Sequence, residues 1–581
     1  MKETPNGIIL IGEQSLLIQC GELLLSKNEI IKAVISGNSS IGDWCETKGI
    51  DFYKTIGSIK GKYPDESFDF IFSITNLKVL PDWLLSLGKR AINFHDGPLP
   101  KYAGLNVPVW AILNDEREHG ITWHEMTAKV DEGRILAQQL FSIVPGETAL
   151  SINAKCYQAA LESFSRLVKE LSTNSNKPIS QDLEARSYFD LTRRPAAAGL
   201  IDWNDPVENV ERLVRALDYG TYANPLVTAK IFLGDELVSV KTAKIVERST
   251  NSSAGEIIEI DSSFLKVACG KGVVELREFT SQNGKTYDCI KALSQANDLS
   301  VGSILKNVPS EVRGAISARL AEVCRYEQRW VADLRKADAV PIPYAKKNMS
   351  SICAWAKREV TLPSAVLTNK NYTSSPTEFT LGLLSVLMSR LNGKTSFTFA
   401  VKANESPSVT PLFVSHLPLT VEIDDNRTFQ DFLESVRTRL SRFSKQGGIA
   451  SDIALREPSL KGHGGLSTFP VKLVFIDNDE EFMPESALGT ELLISITKDG
   501  GCLSFYYQDE ILDAGSIDQL VNQLIVISKA VIEDKTQPIL DISILSESDL
   551  SSIWKWNSTE EDYDTKACIH HLIEHQTLTT P

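Results

Sequence analysis

The sequence predicts an α/β protein of several domains, the first of which is built on a doubly wound, mostly parallel sheet. Two observations lead to this prediction. The 581 residues exceed what one hydrophobic core can organise, so roughly three or four domains are expected. In the amino-terminal region, short continuous apolar runs alternate with helical patterns, as is typical of strands buried on both faces of a parallel sheet.

The first domain opens as strand, turn and helix. Ile8–Ile11 is an apolar run that Gly12 ends, and Ser15 is a plausible cap for an amphipathic helix through Leu25. No G-x-G-x-x-G follows this strand, so NAD or FAD is not an expected ligand. Further strands are predicted at Ile30–Ile35, Phe68–Ile74 and Ala91–Phe94.

Composition and charge narrow the classes of partner. The net charge of −15 and the pI near 5.2 argue against nucleic acid, because backbone phosphates demand clustered Lys and Arg. The nine cysteines form no C-x-x-C pair or zinc-finger spacing, so we expect reduced thiols in a cytoplasmic protein and no metal site. The apolar stretch from Gly7 to Leu25 is interrupted by polar residues, so no membrane segment is expected.

A polar stretch at Ser172–Pro178 predicts a linker between the first domain and a second one. Strand-like alternation then covers Leu237–Ile245 and Glu256–Ala268, and a mostly helical region runs from about Tyr287 to Lys347. A fourth unit is predicted from Ser350 to about Leu545. Its clearest apolar segments are Leu381–Leu391, Phe397–Val401, Val471–Ile476 and Leu503–Tyr507.

The residues that carry chemistry lie at the end of the strand at Ala91–Phe94. Asn93 and His95 lie two apart there, so they project from the same face of the sheet. Open α/β folds bind their ligands at this carboxyl edge. A Gly97-Pro98-Leu99-Pro100 turn follows at once, and its prolines restrict the local backbone.

Asn93-x-His95, the proline turn and Asp131-x-Gly133 together resemble the signature of formyltransferases that use 10-formyltetrahydrofolate. The resemblance implies an N-formyltransferase with Asn93, His95 and Asp131 as its catalytic triad. Asn93 would donate a hydrogen bond to the oxyanion that forms when an amine attacks the formyl carbon. His95 would move the proton of that amine, and Asp131 would favour the charged imidazole.

The same resemblance implies a folate pocket lined by the loop after the strand at Phe68–Ile74, largely through backbone groups. The predicted cofactor-binding residues are Phe72, Ile74, Asn76, Leu80 and Gly133. A buried strand end followed by a turn is an equally good interpretation of this stretch.

Three nearby residues have weaker signals. Lys101 and Tyr102 are predicted to flank the substrate entrance, although a solvated side chain also explains Lys101. For His124, packing within a strand is the favoured interpretation.

Two features indicate the branch of the family. Gly199–Trp203 and Arg215–Pro225 resemble the carboxy-terminal domain of methionyl-tRNA formyltransferases, a small open β-barrel. The motif Asp96-Gly-Pro-Leu-Pro100, together with Tyr102–Asn106 and His119–His124, resembles formylation domains of nonribosomal peptide synthetases. In those enzymes the amine belongs to an aminoacyl group that is thioesterified to the phosphopantetheine arm of a carrier protein.

Segments of the second half resemble other synthetase domains. Tyr326–Leu334, Leu412–Val421 and Tyr507–Ala514 resemble a condensation domain, which has a chloramphenicol-acetyltransferase-like α/β fold. The linker-like Ile542–Asn557 and then Cys568–Glu574 resemble the approach to an adenylation domain and its first residues, so we expect a fragment of a longer synthetase.

The catalytic HHxxxDG motif of condensation domains is absent. The only His-His pair, His570-His571, lacks a following Asp-Gly. The resemblance therefore implies a catalytically inactive half of a condensation domain, with a missing lobe supplied by another chain as the alternative.

These considerations predict five segments and a small set of partners. The partners are a carrier protein and an adjacent adenylation domain, with a free small amine (a siderophore precursor or an amino sugar) or a non-catalytic scaffold role as alternatives. Methionyl-tRNA is disfavoured by the acidic charge. The predicted segments are 1–180 (formyltransferase catalytic domain), 185–285 (β-barrel-like domain), 286–349 (helical linker), 350–545 (partial condensation domain) and 546–581 (linker and start of an adenylation domain).

Overall fold

A computed structural model describes residues 6–346, 355–362, 374–403, 412–460, 469–477, 491–562 and 566–580. The chain divides into two compact units. The first comprises Met1–Lys336, Ala403–Leu417 and Gln446–Leu466, and the second Ala337–Lys402, Pro418–Lys445 and Ser467–Pro581. The five predicted segments stay a prediction, but two stretches of the predicted 350–545 domain belong to the first unit.

The first unit contains a seven-stranded sheet, and a short ladder pairs two further strands. The strands are β1 (Ile8–Ile11), β2 (Ile31–Ile35), β3 (Asp51–Tyr53), β4 (Phe68–Ser73), β5 (Gly88–His95), β6 (Ala103–Gly104), β7 (Glu118–Glu125), β8 (Ile135–Ser142) and β9 (Tyr188–Phe189). The large sheet has the order β3-β2-β1-β4-β5-β7-β8, parallel from β3 to β5 and antiparallel at β7 and β8. The predicted α/β fold with a mostly parallel sheet is confirmed.

Helices cover this sheet because β1, which lies near its centre, is apolar throughout. Every residue of β1 is buried, as expected for a strand covered on both faces. Ser15 is the first residue of its helix and not the cap, since Gln14 occupies the cap position without a side-chain capping bond. The helices of this region are α1 (Ser15–Ser26), α2 (Ser39–Lys48), α3 (Asp82–Leu85), α4 (Val107–Leu113) and α5 (Ala149–Ser172).

A second, antiparallel sheet follows in the first unit. Its strands are β10 (Ala229–Leu233), β11 (Glu236–Glu247), β12 (Ile257–Ile260), β13 (Leu265–Ala268) and β14 (Val273–Ser281), in the order β10-β11-β14-β13-β12. Within residues 6–346 no ladder joins β10 to β12, so the sheet does not close into a barrel. The single strand-like segment predicted at Glu256–Ala268 is a hairpin of two strands that turns at Asp261–Phe264.

Helices accompany and follow this sheet: α6 (Val207–Ala216), α7 (Ile290–Ala296), α8 (Ser310–Val323) and α9 (Glu327–Lys336). The predicted helical region from Tyr287 onward is therefore present, and its predicted end at Lys347 lies outside the described residues.

The second unit is built on a mixed sheet of six strands. These are β15 (Trp355–Thr361), β16 (Ser396–Lys402), β17 (His416–Glu422), β18 (Val471–Ile476), β19 (Leu492–Thr497) and β20 (Cys502–Gln508), in the order β15-β20-β19-β18-β16-β17. Among the described residues, the remaining helices are α10 (Pro376–Asn392), α11 (Phe429–Gln446), α12 (Ile453–Arg456, in the first unit), α13 (Ala514–Glu533), α14 (Glu547–Asn557) and α15 (Ile569–Thr579). Aliphatic and phenylalanine side chains form the core of the second unit.

The sequence predicts reduced thiols and no membrane segment, and the structure describes the residues that concern both predictions. Cys20, Cys45, Cys156, Cys269 and Cys324 are buried free thiols, whereas Cys353 lies outside the described residues. In the part of the chain that the structure describes, none of the helices has both the length and the apolar character needed to cross a bilayer.

A buried ionic cluster joins α9, β10 and α12 within the first unit. Lys230 Nζ lies 2.6 Å from Asp452 Oδ2, and Arg456 Nε lies 2.7 Å from Asp452 Oδ1. The Arg456 guanidinium also donates to both carboxylate oxygens of Glu327, at 2.7 and 2.5 Å. Burial alone would raise the pKa of Asp452, but the charges of Arg456 and Lys230 outweigh it and hold that pKa well below its usual range.

The cluster makes an asymmetric prediction for stability. Asp452→Ala leaves Lys230 buried without its anion, so we expect a loss of about 3–5 kcal/mol in the free energy of unfolding. Lys230→Met leaves Asp452 paired with Arg456, so a smaller loss of about 1–3 kcal/mol is expected. Denaturant unfolding of the full chain measures both losses, and hydrogen exchange of the β10 amides locates them in the first unit.

Lys266→Met is the matched control, because Lys266 pairs with the half-exposed Glu259. Its cost should stay within about 1 kcal/mol. Equal losses for Asp452→Ala and Lys230→Met would contradict the asymmetry.

Candidate active site

Asn93 and His95 stand where β5 ends, between two neighbouring strands. In the ladders Asn93 lies opposite Ser73 of parallel β4 and opposite His124 of antiparallel β7, and His95 lies opposite Thr122. Since alternate residues of a strand share a face, Asn93 and His95 project to the same side at the carboxyl edge of the sheet.

Asp131 reaches these residues from the connection between β7 and β8. The connection folds back tightly, since a Cβ at Gly133 would lie 1.7 Å from the carbonyl oxygen of Glu125. The Gln181 side-chain amide donates to the carbonyl oxygens of Asp131 and Gly133, at 2.7 and 2.6 Å. Gly133 was predicted to bind cofactor, and the structure shows the close backbone approach that requires glycine there.

One ring nitrogen of His95 is held in a hydrogen bond to the backbone, and the other faces carboxylates. Its Nε2 lies 2.6 Å from the carbonyl oxygen of Tyr102, which only accepts, so Nε2–H is the donor. The other nitrogen, Nδ1, lies 3.6 Å from Asp131 Oδ2 and 3.9 Å from Asp96 Oδ1. A proton gained at Nδ1 is therefore placed between two carboxylates.

His124 contacts two of the predicted triad residues. Its Nδ1 donates to the Glu125 carbonyl oxygen at 2.9 Å, and its Nε2 lies 3.2 Å from Asn93 Nδ2 and 3.4 Å from Asp131 Oδ1. Strand packing, the favoured interpretation from sequence, is therefore incomplete: the ring is buried but also orients the Asn93 amide. Its position opposite Asn93 across β5 and β7 is the signal that would have shown this.

The two carboxylates beside His95 are shifted in opposite directions. Burial would raise the pKa of Asp131, but the His95 charge, the contacts with His124 and the backbone N–H of Gly104, at 2.9 Å, hold it well below its usual range. Burial raises the pKa of Asp96, although the His95 charge opposes that shift. Oppositely shifted acids around one imidazole are typical of acid–base sites.

The predicted folate-pocket residues divide into core and loop. Phe72 and Leu80 are buried in the core, and the Ile74 side chain is buried while its N–H donates to the Ile11 carbonyl oxygen at 2.8 Å. Asn76 shapes the loop, since its amide nitrogen donates to the Lys78 carbonyl oxygen at 2.8 Å. Because these side chains are buried or hydrogen-bonded within the loop, the groups available to a ligand are mainly backbone groups of the loop.

Two apolar residues of this loop were not predicted. Leu77 and Val79 are each 81% exposed at the same edge of the sheet. Exposed aliphatic side chains beside a site are suited to cover an apolar or aromatic ligand face.

The predicted entrance residues also differ from each other. Lys101 is exposed, which is compatible with an entrance residue and equally with a solvated side chain. Tyr102 is buried: its hydroxyl donates to Glu116 Oε1 at 2.7 Å, and its ring stacks on Phe189 with centroids 5.5 Å apart. The ring therefore does not line an entrance, and the contribution of Tyr102 to the site is its carbonyl oxygen.

Comparison with known families places this site in a recognised domain. Residues 57–168 match the formyl transferase family model, and residues 195–297 match the model of the formyl transferase carboxy-terminal domain. The chain therefore contains a formyltransferase domain, and Asn93, His95 and Asp131 all lie within the first match.

Several solved structures resemble the chain at low identity. An N-formyltransferase from Helicobacter canadensis in complex with folinic acid and dTDP-3-aminofucose shares 17% identity and a TM-score of 0.38, over 47% of this chain and 98% of that one. The sugar 3N-formyltransferase WlaRD, solved with dTDP and 5-N-formyl-THF, shares 18% identity and a TM-score of 0.37, over 47% and 97%. HypX from Aquifex aeolicus in complex with tetrahydrofolic acid shares 18% identity and a TM-score of 0.36, over 48% and 45%.

His119 gives a test of the packing behind the site. Its Nε2 donates to the Asp96 carbonyl oxygen at 2.8 Å, its Nδ1 has no hydrogen-bond partner, and burial lowers its pKa to about 4. Above the ordinary histidine pKa near 6.5, the ring is neutral in both the folded and the unfolded chain, and burying it costs no charge. As the pH falls from 6.5 toward 4, the unfolded chain gains a proton on His119 that the folded chain does not accept. The free energy of unfolding therefore falls over this window, by up to about 3 kcal/mol.

Titration by nitrogen-15 NMR should show the Nε2–H tautomer of His119 persisting below pH 5. His119→Gln, which keeps a donor for the Asp96 carbonyl, should weaken the pH dependence of unfolding over this window. A His119 that titrates near 6.5 would contradict the packing described.

Proposed function

We propose that the formyltransferase domain transfers a formyl group from 10-formyltetrahydrofolate to the amine of an aminoacyl group bound to a carrier protein. The observation that carries the proposal is the arrangement of Asn93, His95 and Asp131 at one edge of the sheet, inside the residues that match the formyl transferase model. The geometry supports the chemical step, and the sequence resemblance supports the acceptor.

Each of the three residues has a separate role in the proposed reaction. The Asn93 amide, oriented by His124, would donate to the oxyanion that develops on the formyl oxygen, an interaction whose loss typically costs about 10²–10³ in rate. His95 would take the proton of the attacking amine at Nδ1, since Nε2 is committed to Tyr102. Asp131, held ionised, would stabilise the imidazolium.

A folate donor fits the loop that follows β4. The loop offers backbone groups together with the exposed Leu77 and Val79, the combination that a flat heterocycle with amide-like edges needs. The buried Phe72 and Leu80 would support the loop from behind. The formyl group itself is the electrophile that the donor supplies.

The carrier-bound acceptor rests on the sequence. The sequence motif at Asp96–Pro100 resembles formylation domains of nonribosomal peptide synthetases, and three segments of the second half resemble condensation domains. In this proposal residues 350–545 form an inactive condensation-like lobe, and the products belong to antibiotic or siderophore biosynthesis. A carrier protein and a neighbouring adenylation domain would be its partners.

Mass spectrometry tests the acceptor directly. Carrier proteins loaded with a panel of amino acids are incubated with the chain and 10-formyltetrahydrofolate, beside a panel of free amines and amino sugars. A mass gain of one formyl group on loaded carriers is expected. Gain only on free amines would replace the tethered acceptor, and gain on neither would favour a scaffold role.

Three variants test the roles of the triad. His95→Ala should abolish the mass gain, Asn93→Ala should lower the rate by about 10²–10³, and Asp131→Asn by about 10²–10⁴. His575→Ala, in an exposed position on α15, is the control and should leave the rate unchanged. Full activity in His95→Ala would contradict the assigned chemistry.

A further inference from the structure

Asp96 is an acidic residue beside His95 that has no role in the reaction proposed for Asn93, His95 and Asp131. It follows His95 directly, and its Oδ1 lies 3.9 Å from His95 Nδ1. Its carbonyl oxygen is fixed from behind, because it accepts from His119 Nε2 at 2.8 Å and from Cys156 Sγ at 3.8 Å. The backbone of Asp96 is therefore held while its carboxylate stays available.

The two carboxylates beside His95 differ in access to water. The Asp96 side chain is 33% exposed, whereas that of Asp131 is 9% exposed and also accepts the Gly104 N–H. A proton placed on Asp131 would weaken that hydrogen bond, because it removes the negative charge of the acceptor. A proton placed on Asp96 can leave to solvent.

The chemistry creates a proton that has to leave. An acceptor amine near neutral pH is largely an ammonium ion. Its nitrogen must lose one proton before it can attack, and a second when the new C–N bond forms. The departing folate nitrogen takes one proton as the old C–N bond breaks. One proton per formyl transfer is therefore left over, and nothing is oxidised or reduced.

We propose that Asp96 is the residue through which this proton leaves: His95 takes it from the acceptor at Nδ1, and Asp96 receives it from Nδ1 and releases it to solvent. The inference rests on the proposed formyl transfer. A water molecule or a small rotation of the Asp96 side chain closes the 3.9 Å gap, and such contacts commonly tighten when substrate binds. Asp96 acts through His95 and is a positioning and relay residue.

The charges around Asp96 suit this role. The groups that face it are His95 and Asp131, Cys156 and Tyr157 on α5, and Tyr219 after α6. Burial raises the pKa of Tyr157 to about 12 and raises the pKa values of Cys156 and Tyr219, so all three are neutral near pH 7. The charged neighbours are thus His95, which supplies the proton, and Asp131.

The relative proton affinities point the same way. Burial raises the pKa of Asp96, whereas the surroundings of Asp131 lower its pKa despite burial. Of the two carboxylates, Asp96 is the one that can hold a proton for part of the cycle.

Steady-state kinetics of Asp96 variants test the relay, with any acceptor that the wild-type chain formylates, tethered or free. Asp96→Asn should lower kcat about 10- to 100-fold with little change in the acceptor KM, and should lose the acidic limb that Asp96 ionisation gives to kcat against pH. Asp96→Glu should restore part of the rate and an acidic limb. Asp43→Asn, at an exposed position of α2, is the matched control.

Chemical rescue separates the relay from a structural role. In Asp96→Ala, added acetate should raise the rate in proportion to its anion concentration, and it should leave the wild-type rate unchanged. Failure of acetate to act, with an unaltered acidic limb in Asp96→Asn, would overturn the relay. A raised KM with kcat preserved would also overturn it, and would show that Asp96 binds the ammonium ion.

A failure of the proposed function looks different. If the wild-type chain formylates no acceptor, the enzyme proposal fails, and the Asp96 inference is tested without turnover. Carbon-13 NMR of the aspartate-labelled full chain should then show one carboxyl group, absent in Asp96→Asn, that titrates above the ordinary aspartate range near 4. Titration at or below that range would overturn the inference independently of activity.

Discussion

The hydrogen bond from His95 Nε2 to the Tyr102 carbonyl oxygen fixes the polarity of the whole site. It engages Nε2 and leaves Nδ1 facing the carboxylates of Asp131 and Asp96. The bond depends on a tight turn, because a Cβ at Gly97 would lie 2.6 Å from the Tyr102 oxygen and 2.8 Å from His95 Nε2. Tyr102 is itself anchored through its N–H to Ser187 and through its hydroxyl to Glu116, so distant residues set the direction of a single carbonyl group.

The formyltransferase domain also depends on residues beyond its family matches. Lys230 lies inside the match to the carboxy-terminal domain, but its counter-ion Asp452 and the further partners Arg456 and Glu327 lie outside it. An unpaired buried ammonium group is costly, so the segment around α12 is part of the stable unit and not an appendage. A boundary drawn at the end of the family match would leave this charge without its partner.

The sequence predicted the features that depend on local pattern. Apolar runs predicted β1, β4 and β5, and the alternation of side chains placed Asn93 and His95 on one face. The place of His124 beside Asn93 could not be predicted, because it depends on the register between β5 and β7. Nor could the sequence show that Tyr102 contributes a carbonyl group, since that depends on long-range packing. The loop after β4 was predicted by its position, but its exposed apolar residues were not.

The negative charges beside His95 suit the amine acceptor that we propose. In the proposed reaction, the carboxylates of Asp96 and Asp131 beside His95 would attract the ammonium form of the acceptor amine. That form cannot attack, because its nitrogen has no free electron pair. A formyltransferase built this way must combine an anion that remains ionised with a path that removes a proton. In the proposed reaction Asp131 meets the first need through the His95 charge and its hydrogen-bond donors, and the more exposed Asp96 meets the second.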